Sequence, residues 1–301
     1  NGLIRKLSMP LMLINALYQA RKVIKKVKPD IVIGFGGYAS GPGGLAAKTM
    51  GVPLMIHEQN AVLGMTNRWL NKVANKTLLA FPLTQNSSQI DAEVVGNPVR
   101  VAISELAGQT KKRLNREQSL NILVIGGSLG ARVLNETLPA VFNKLLETRE
   151  LSVHHQTGKG NKPKVEKLYS LQHNQVKSLQ VQVDEFIDDM PTALLWSDLV
   201  ICRAGALTVS ELAASGNVGL FVPLPHAVDD HQTANAKWLV DQGAGFLIPQ
   251  TELKEKLEQV LSELLLSPDV INDMQEKSRS MANTNTLPRM VQLCQELEVS
   301  S

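Results

Sequence analysis

A chain of 301 residues, 44% of them hydrophobic and 20% charged, has the size and composition of a globular protein with two domains. It contains no run of about 18 apolar residues, so no transmembrane helix is expected. Its two cysteines, Cys202 and Cys294, lie in apolar surroundings without a partner at metal-ligand spacing, which is typical of a reduced cytoplasmic protein.

Positive charge is concentrated in the first part of the chain. Residues 1–80 contain eleven lysines and arginines but only Asp30 and Glu58 as acids, a net charge of +9, so the rest of the chain carries −6. Nucleic acid would suit such a surface. However, the chain has no basic stripe interleaved with aromatic residues and no recognised nucleic-acid module. We therefore expect an anionic membrane surface or a phosphorylated substrate as the partner, and no nucleic acid.

Strand and helix patterns alternate along the whole chain. Ser8 suits the N-cap, and Pro10 the first turn, of a helix that ends at about Lys28. Ten short apolar runs are typical of strands, and amphipathic runs such as 131–146 and 230–241 are typical of helices. We expect the strands at 31–33, 54–56, 77–79, 93–95, 121–125, 151–155, 179–183, 198–201, 219–222 and 245–248. This alternation predicts two parallel, doubly wound sheets, joined by a connector at 97–116 that contains Pro98 and Gly108.

Two motifs in the first half follow predicted strands. Residues 34–44 (GFGGYASGPGG) hold six glycines, more than a simple turn needs, so we expect them to line a ligand, with Pro42 starting the next helix. Residues 57–60 (HEQN) close a strand at its carboxyl end, where ligands of open α/β sheets bind. His57 and Glu58 could serve there as acid or base. The alternative is that they cap the helix that follows near 64–67.

The second half carries two turns suited to phosphate. Residues 126–131 (GGSLGA) lie between an apolar strand and a long helix, where glycines let the backbone approach a phosphate, or serve a tight turn needed for packing. Residues 204–206 begin a helix whose first amide groups form an anion site. Glu211 lies about a turn and a half into that helix and could accept hydrogen bonds from ribose hydroxyls. Together these features predict a nucleotide pocket.

Other polar and aromatic residues have plainer interpretations. Asp188 and Asp189 suit the N-cap of a helix, and Asp229 and Asp230 mark another helix start. Gln232, in the first turn of that second helix, could face a ligand, as could His231 beside it. The three tryptophans occupy apolar helical positions and are expected in the core, namely Trp69, Trp196 and Trp238.

Seven motifs, in order and over essentially the whole chain, resemble the MurG family of bacterial glycosyltransferases, glycosyltransferase family 28. They are GGYASGPGG, HEQNAVLGMTN, VVGNPVR, GGSLGAR, EFIDDM, CRAGALTVSE and PHAVDDHQ. The resemblance implies the GT-B architecture, two Rossmann-like domains facing a cleft. Residues 1–98, joined by a C-terminal helix at 286–301, would bind the acceptor lipid, and residues 99–285 would bind UDP-GlcNAc.

The resemblance also implies the reaction. GlcNAc would pass from UDP-GlcNAc, with inversion, to the 4-hydroxyl of the lipid-linked MurNAc-pentapeptide in peptidoglycan synthesis, and so serve cell shape and division. The protein would be peripheral, on the cytoplasmic face of the bacterial inner membrane. The helix N-terminus would meet the charge of the leaving UDP, so no bound metal or cofactor is required.

Site residues are implied position by position. Ser128 would donate to the diphosphate, Ile187 would pack at the uracil, and Gln232 would contact the sugar hydroxyls. Asn60 and Arg100 match donor contacts from across the cleft. The phosphate and ribose would be held by Ala206, Leu207, Thr208, Val209, Ser210 and Glu211.

One departure from the family pattern concerns the amino-terminal end. Family members begin with a strand and a GGTGGH loop whose His is the leading candidate for general base, and this sequence contains neither. We therefore expect the chain to be a fragment that binds donor but transfers little sugar, with His57 and Glu58 as its remaining acid or base candidates.

Two other functions stay open at this stage. One is a sugar-nucleotide epimerase or lipid galactosyltransferase of the same architecture, against which the HEQN and GGYASGP motifs argue. The other is a nucleotide-sugar binder without turnover.

The first helix carries an apolar stripe with cationic borders, which suits a helix lying at a membrane surface. The alternative is that the stripe packs on the sheet. The stripe consists of Leu7, Leu11, Ile14 and Leu17, and the borders of Arg5, Lys6, Arg21 and Lys22.

Overall fold

The structure is a computed structural model, which describes residues 2–83, 90–109, 111, 113–115, 117–145, 150–170, 179–225 and 230–299. The chain forms two compact units. Unit 1 comprises Asn1–Pro98 and Asn285–Ser301, and unit 2 comprises Val99–Thr284. Within the described residues, no helix is both long and apolar enough to cross a membrane.

Unit 1 is built on a parallel sheet of four strands in the order β1-β2-β3-β4. The strands are β1 (Val32–Gly34), β2 (Leu54–Glu58), β3 (Lys76–Leu79) and β4 (Glu93–Val94). The helices are α1 (Gly2–Val27), α2 (Gly37–Thr49), α3 (Met65–Leu70) and, from the end of the chain, α12 (Thr286–Val299). Every residue of β2 is buried, as expected for a central parallel strand covered on both faces.

Two apolar clusters hold the helices of unit 1. Ile24 of α1 packs with Ala46 and Ala47 of α2. Met290, Leu293 and Leu297 of α12 form a second cluster with Met55, Leu78 and Val95 of the sheet region. Arg289 adds a paired hydrogen bond to Glu93, with distances of 2.6 and 2.9 Å. The C-terminal helix is therefore an integral part of the core of unit 1.

Unit 2 contains a parallel sheet of six strands in the order β10-β9-β8-β5-β6-β7. These are β5 (Leu120–Ile125), β6 (Leu151–Gln156), β7 (Gln180–Asp184), β8 (Leu199–Cys202), β9 (Val218–Phe221) and β10 (Gly245–Leu247). The α-helices are α4 (Val101–Ser104), α5 (Arg132–Leu145), α6 (Lys162–Ser170), α7 (Met190–Trp196), α8 (Ala206–Ser215), α9 (His231–Val240), α10 (Leu253–Leu266) and α11 (Pro268–Ser280).

The strand order of unit 2 reverses at its centre. Because β5 pairs with both β6 and β8, the chain moves to one side of the sheet after β5 and to the other side after β8. The turns that leave the carboxyl ends of β5 and β8 therefore diverge and open a crevice, which is where ligands bind in sheets of this kind.

The expected parallel α/β fold is confirmed, and all ten strands lie within two residues of their predicted bounds. Two expectations about helices were wrong. The first helix includes Gly2 rather than beginning after Ser8, and Pro42 lies inside α2, which begins at Gly37. A proline is tolerated at position 42 because the carbonyl it leaves unbonded belongs to Tyr38, a residue that is almost fully exposed.

The tryptophans also differ from expectation. Trp69 is 66% exposed and Trp196 is 37% exposed, while Trp238 is half-buried. Their helical spacing is compatible with a core position, but α3 and α7 are short helices that turn these rings outward. Lys72 lies over the Trp69 ring, with its Nζ 4.7 Å from the ring centroid, so the exposed ring has a cationic neighbour.

Leu293→Ala should lower the stability of unit 1 by about 2 to 5 kcal/mol, because it leaves a cavity between α12 and the sheet. Amide exchange of β2 and β3 under mild urea would measure the loss. Val291→Ala is the matched control on the same helix, since Val291 is 56% exposed. Equal effects of the two substitutions would contradict the packing of α12 on the sheet.

Candidate functional site

The glycine-rich turn after β5 is held by a buried glutamine. Gln156, at the end of β6, accepts a hydrogen bond from Gly127 N at 2.9 Å through its Oε1. Its Nε2 donates to the carbonyl oxygens of Gly127 at 2.9 Å and Glu185 at 2.7 Å. This fixes the turn and leaves Ser128 exposed at its tip, where its hydroxyl is available to a ligand.

The last glycine of the same turn has a packing role. Gly130 has φ +75°, and a Cβ placed there would lie 2.0 Å from the Thr157 carbonyl oxygen. Gly127 also has a positive φ of +80°, but a Cβ there would meet nothing within 4 Å. Both interpretations of the motif therefore apply, because Gly130 allows close packing while the first part of the turn is open.

A buried polar network supports this turn from below. Asn135 donates to the Thr157 carbonyl, so its Oδ1 must accept from His155 Nε2, and His155 Nδ1 then accepts from the Tyr169 hydroxyl. Burial lowers the pKa of His155 to about 3, with a smaller contribution from His154. The network is therefore neutral and positions the backbone on which Gly130 rests.

The N-terminus of α8 has no side-chain cap hydrogen bond within the described residues. Its N-cap, Gly205, has no side chain, and the first hydrogen bond of the helix runs from Val209 N to Gly205 O at 3.0 Å. The amide groups of the first turn thus have no acceptor within the helix, and no acidic residue occurs in that turn. By contrast, Asp189 caps α7 by accepting from Thr192 N at 3.1 Å, as predicted. Helix α8 is therefore suited to bind an anion.

Six residues of α8 were expected to hold phosphate and ribose, and they differ in the exposure and hydrogen bonding of their side chains. Leu207 is 49% exposed, whereas Val209 is fully buried, so Val209 can contribute only its backbone. The hydroxyl of Ser210 donates to the Ala206 carbonyl at 3.0 Å. Ala206, Thr208 and Glu211 are half-buried. Backbone amides and the Glu211 carboxylate are therefore the polar groups best placed for a ligand.

Glu211 forms an ion pair with Arg100. Arg100 Nη2 lies 3.2 Å from Glu211 Oε1, and the two side chains are 56% and 20% exposed. Burial raises the pKa of Glu211, and the charge and hydrogen bonds of Arg100 act in the opposite direction. Arg100 is expected from the sequence to contact the donor from across the cleft. Arg100 lies in unit 2, the same unit as Glu211, and α4 packs on α8.

Gln232 lies in the first turn of α9. Its Oε1 accepts from Leu224 N at 2.9 Å, so its Nε2 is the end left to donate to a ligand. Asp230 is the N-cap, with φ 49°, and makes no side-chain cap hydrogen bond. Asp229, also expected to mark this helix start, lies outside the described residues.

Arg203 was not anticipated as a site residue. It follows β8 directly, and its guanidinium donates to the carbonyls of Val222 and Pro223 at 2.9 and 3.1 Å and to Gln250 Oε1 at 2.7 Å. It thus joins the segments that follow β8, β9 and β10. The signal in the sequence is an arginine placed between a buried strand and a turn of small residues.

Ile187 is half-buried in a groove of about 740 Å³ beside the edge strand β7, next to Phe186 and Trp196. His154 lies in the same groove, edge-on to Trp196 and 3.0 Å from Asp184. The apolar and aromatic side chains of Phe186, Ile187 and Trp196, among the polar ones that line the same groove, could pack against a nucleobase. Within the described residues, no three His, Cys, Asp or Glu side chains lie close enough together to hold a metal ion.

In unit 1, Glu58 is buried and accepts four hydrogen bonds. Its Oε1 accepts from the backbone and side-chain nitrogens of Asn60 at 3.1 and 3.2 Å, and its Oε2 accepts from Gly64 N and Asn67 Nδ2, both at 2.9 Å. Gly64 is the N-cap of α3. This geometry favours the capping role that was the alternative for Glu58. It also fixes the position of Asn60, which lies in unit 1.

His57 is fully buried and neutral. Its Nε2 lies 2.9 Å from the Gly96 carbonyl, which can only accept, so Nε2 carries the proton and Nδ1 the lone pair. Burial is the main cause that lowers the pKa of His57, against opposite effects of Gly96 and Glu58. Within the described residues, Nδ1 has no hydrogen-bond partner. Direct proton transfer by His57 or Glu58 remains a prediction. The burial of both side chains disfavours it.

Two parallel-sheet α/β units, the second with an open anion site beside a carboxylate, define the GT-B class of nucleotide-sugar enzymes. The family model for the glycosyltransferase family 28 N-terminal domain matches residues 2–79, and that for the C-terminal domain matches residues 121–292. The chain therefore belongs to the MurG family of glycosyltransferases, within glycosyltransferase family 28.

Relatives and solved structures support this membership. A protein of Pseudoalteromonas translucida is 47% identical over 300 residues, which span 99% of this chain and 81% of that protein. One of Colwellia psychrerythraea is 48% identical over 303 residues, spanning 100% and 78%. Both are named UDP-N-acetylglucosamine--N-acetylmuramyl-(pentapeptide) pyrophosphoryl-undecaprenol N-acetylglucosamine transferase.

Among solved structures, MurG of Acinetobacter baumannii has a TM-score of 0.82 at 40% identity, covering 95% of this chain and 79% of that one. A UDP-GlcNAc 2-epimerase of Neisseria meningitidis has a TM-score of 0.62 at 14% identity, covering 96% and 81%. The second similarity shows the shared fold alone.

Glu58→Gln should destabilise unit 1 by about 1.5 to 3 kcal/mol, because an amide offers one acceptor oxygen where four donors converge. Urea unfolding would measure the loss. Asp91→Asn, at an exposed position of the same unit, is the control for the change of carboxylate to amide. A Glu58→Gln protein with parental stability but no activity would instead indicate a catalytic role.

Proposed function

We propose that this protein transfers GlcNAc from UDP-GlcNAc to the 4-hydroxyl of a lipid-linked MurNAc-pentapeptide and so forms the disaccharide unit of peptidoglycan. The observation that carries the proposal is the donor side of unit 2, where Ser128, the N-terminus of α8 and Glu211 lie on the carboxyl edge of one sheet. Relatives at 47–48% identity over nearly the whole chain are named for this reaction.

The chemistry would be a single displacement with inversion. The acceptor hydroxyl gives up its proton to a base and attacks the anomeric carbon of α-linked GlcNAc, the bond to the UDP oxygen breaks, and a β-1,4 bond forms. The negative charge that develops on UDP would be met by the first-turn amides of α8, where the helix dipole is positive. Glu211 would accept from the ribose, and Gln232 would donate to the sugar through Nε2.

Incubation with UDP-GlcNAc and a water-soluble analogue of the acceptor lipid should yield β-1,4-linked product, at the low rate expected from the sequence. UDP should raise the melting temperature, and Glu211→Ala should weaken UDP binding by about 1.5 to 3 kcal/mol, because a charged acceptor is lost. Glu276→Ala is the control, since Glu276 is an exposed carboxylate of the same unit, in an ion pair with Arg113. Mass spectrometry and calorimetry provide the measurements.

The outcomes separate the competing functions. Epimerised UDP-sugar without transfer would indicate an epimerase, and transfer of galactose would indicate a lipid galactosyltransferase. UDP binding without turnover would indicate a binding protein. Equal stabilisation by UDP of the parent and the Glu211→Ala protein would contradict the site itself.

We further propose that unit 1 docks on an anionic membrane surface, at the cytoplasmic face of the inner membrane. Helix α1 supports this because some of its apolar residues are packed against α2 and others are exposed. Leu17 and Ile24 pack in the cluster with α2. Leu11, Ile14 and Tyr18, spaced by three and four residues, are 64–70% exposed. The apolar stripe predicted from the sequence is therefore divided, and its exposed part would enter the interface.

Cationic residues follow the exposed apolar part of α1. Lys22, Lys25 and Lys26 are exposed, close in sequence to exposed Val23 and Val27. Attraction to anionic headgroups would add about 1 kcal/mol for each lysine near the surface. Apolar burial and charge would therefore both contribute to docking.

Vesicles with anionic lipid should bind the protein, and added salt should weaken binding because it screens the lysines. Lys22→Glu with Lys25→Glu, and separately Leu11→Ser with Ile14→Ser, should each reduce co-sedimentation. Leu266→Ser, at a position of unit 2 that is 60% exposed, is the matched control. Vesicle binding that is weakened neither by salt nor by either double substitution would contradict docking through α1.

A further inference from the structure

The ion pair between Arg100 and Glu211 occupies only one of the two carboxylate oxygens. Arg100 Nε and Nη2 lie 3.3 and 3.2 Å from Glu211 Oε1. Within the described part of the chain, Oε2 receives no hydrogen bond. The Glu211 side chain is 20% exposed, so this oxygen can still be reached by a ligand.

We propose that Arg100 is a positioning residue for ribose recognition: it holds the Glu211 side chain in one orientation, so that Oε2 accepts the ribose hydroxyls of the donor. This rests on the proposed function and extends it, because it assigns to Arg100 an action through Glu211 in addition to any contact with the donor. A carboxylate with one oxygen engaged is restrained in rotation, which reduces the entropy lost when a ligand binds.

The backbone of Arg100 is anchored to the helix that carries Glu211. Arg100 is the N-cap of α4, and Ile103, on the first turn of α4, is fully buried. Leu106, in the 3₁₀ turn Glu105–Gly108 that follows, is 6% exposed. Both α4 and this turn pack on α8. The guanidinium therefore approaches Glu211 from a segment that is fixed to the same helix.

Electrostatics give Arg100 a second effect. Burial raises the pKa of the Glu211 carboxyl, and Arg100 is the charged partner that opposes this increase. Helices α9 and α11 also pack on α8 and carry the cationic residues Lys237 and Arg279. Within the described residues, neither of these contributes to the shift in the pKa of Glu211. Without Arg100, Glu211 should become protonated at a higher pH and lose acceptor capacity. On acidification, the affinity of the protein for the ribose would then begin to fall at a higher pH than it does in the parent.

A double-mutant cycle with UDP tests the proposal. Arg100→Gln should weaken UDP binding about threefold to tenfold in the parent, but less than about twofold in a Glu211→Gln background, because the interacting partner is gone. The acid limb of UDP affinity should move to higher pH in Arg100→Gln, and Arg100→Lys, which keeps the charge, should move it less. Arg113→Gln, which breaks an exposed pair of the same unit, is the control.

A UDP analogue without ribose hydroxyls separates the ribose from the phosphates. The parent should prefer UDP over 2′,3′-dideoxy-UDP, and Arg100→Gln should reduce this preference. Equal losses for both nucleotides, equal effects of Arg100→Gln in both backgrounds, or an unmoved acid limb would overturn the proposal. Each of these results would leave the donor site intact and would indicate that Arg100 acts on the phosphates. Failure of the parent to bind UDP would overturn the donor site itself and the positioning role with it.

Discussion

Parallel pairing of β5 with both β6 and β8 is the constraint on which the candidate site of unit 2 depends. Parallel strands covered on both faces leave no place for polar groups except at their ends. The divergence of the chain at the centre of the sheet opens the carboxyl end of β5 and β8. The exposed Ser128 turn, the uncapped α8 and the Glu211 carboxylate therefore lie at one edge of unit 2.

Buried and half-buried polar side chains stabilise the conformation of the turns at these edges. Gln156 holds the turn after β5, Arg203 joins the segments after β8, β9 and β10, and Glu58 organises the loop before α3 in unit 1. A hydrogen bond to a charged group contributes about 1.5 to 3 kcal/mol, and an unsatisfied buried partner costs a similar amount. These side chains stabilise one backbone arrangement, and groups such as Ser128 and Asn60 take their positions from it.

Much of the fold was predictable because its signals are local. The strands are short apolar runs bounded by polar or glycine-rich residues, and the N-cap role of Asp189 depends on an amide three residues away. The errors arose where tertiary context outweighed a local preference. Pro42 was assigned to a helix start, yet α2 begins five residues earlier, because the carbonyl left free by proline lies at an exposed position.

The sequence by itself determined the two parallel α/β units and the family, because the order of strands, glycine-rich turns and motifs is a property of the chain read along its length. Only the tertiary structure decided the roles of individual polar residues. His57 and Gly96 are 39 residues apart, Gln156 and Gly127 are 29 apart, and Arg100 and Glu211 are 111 apart. Hydrogen bonds across such separations form when strands pair and helices pack, so the local sequence pattern does not predict them. For this reason the sequence left Glu58 open between base and cap, and the folded chain, with four donors around its carboxylate, favours the cap.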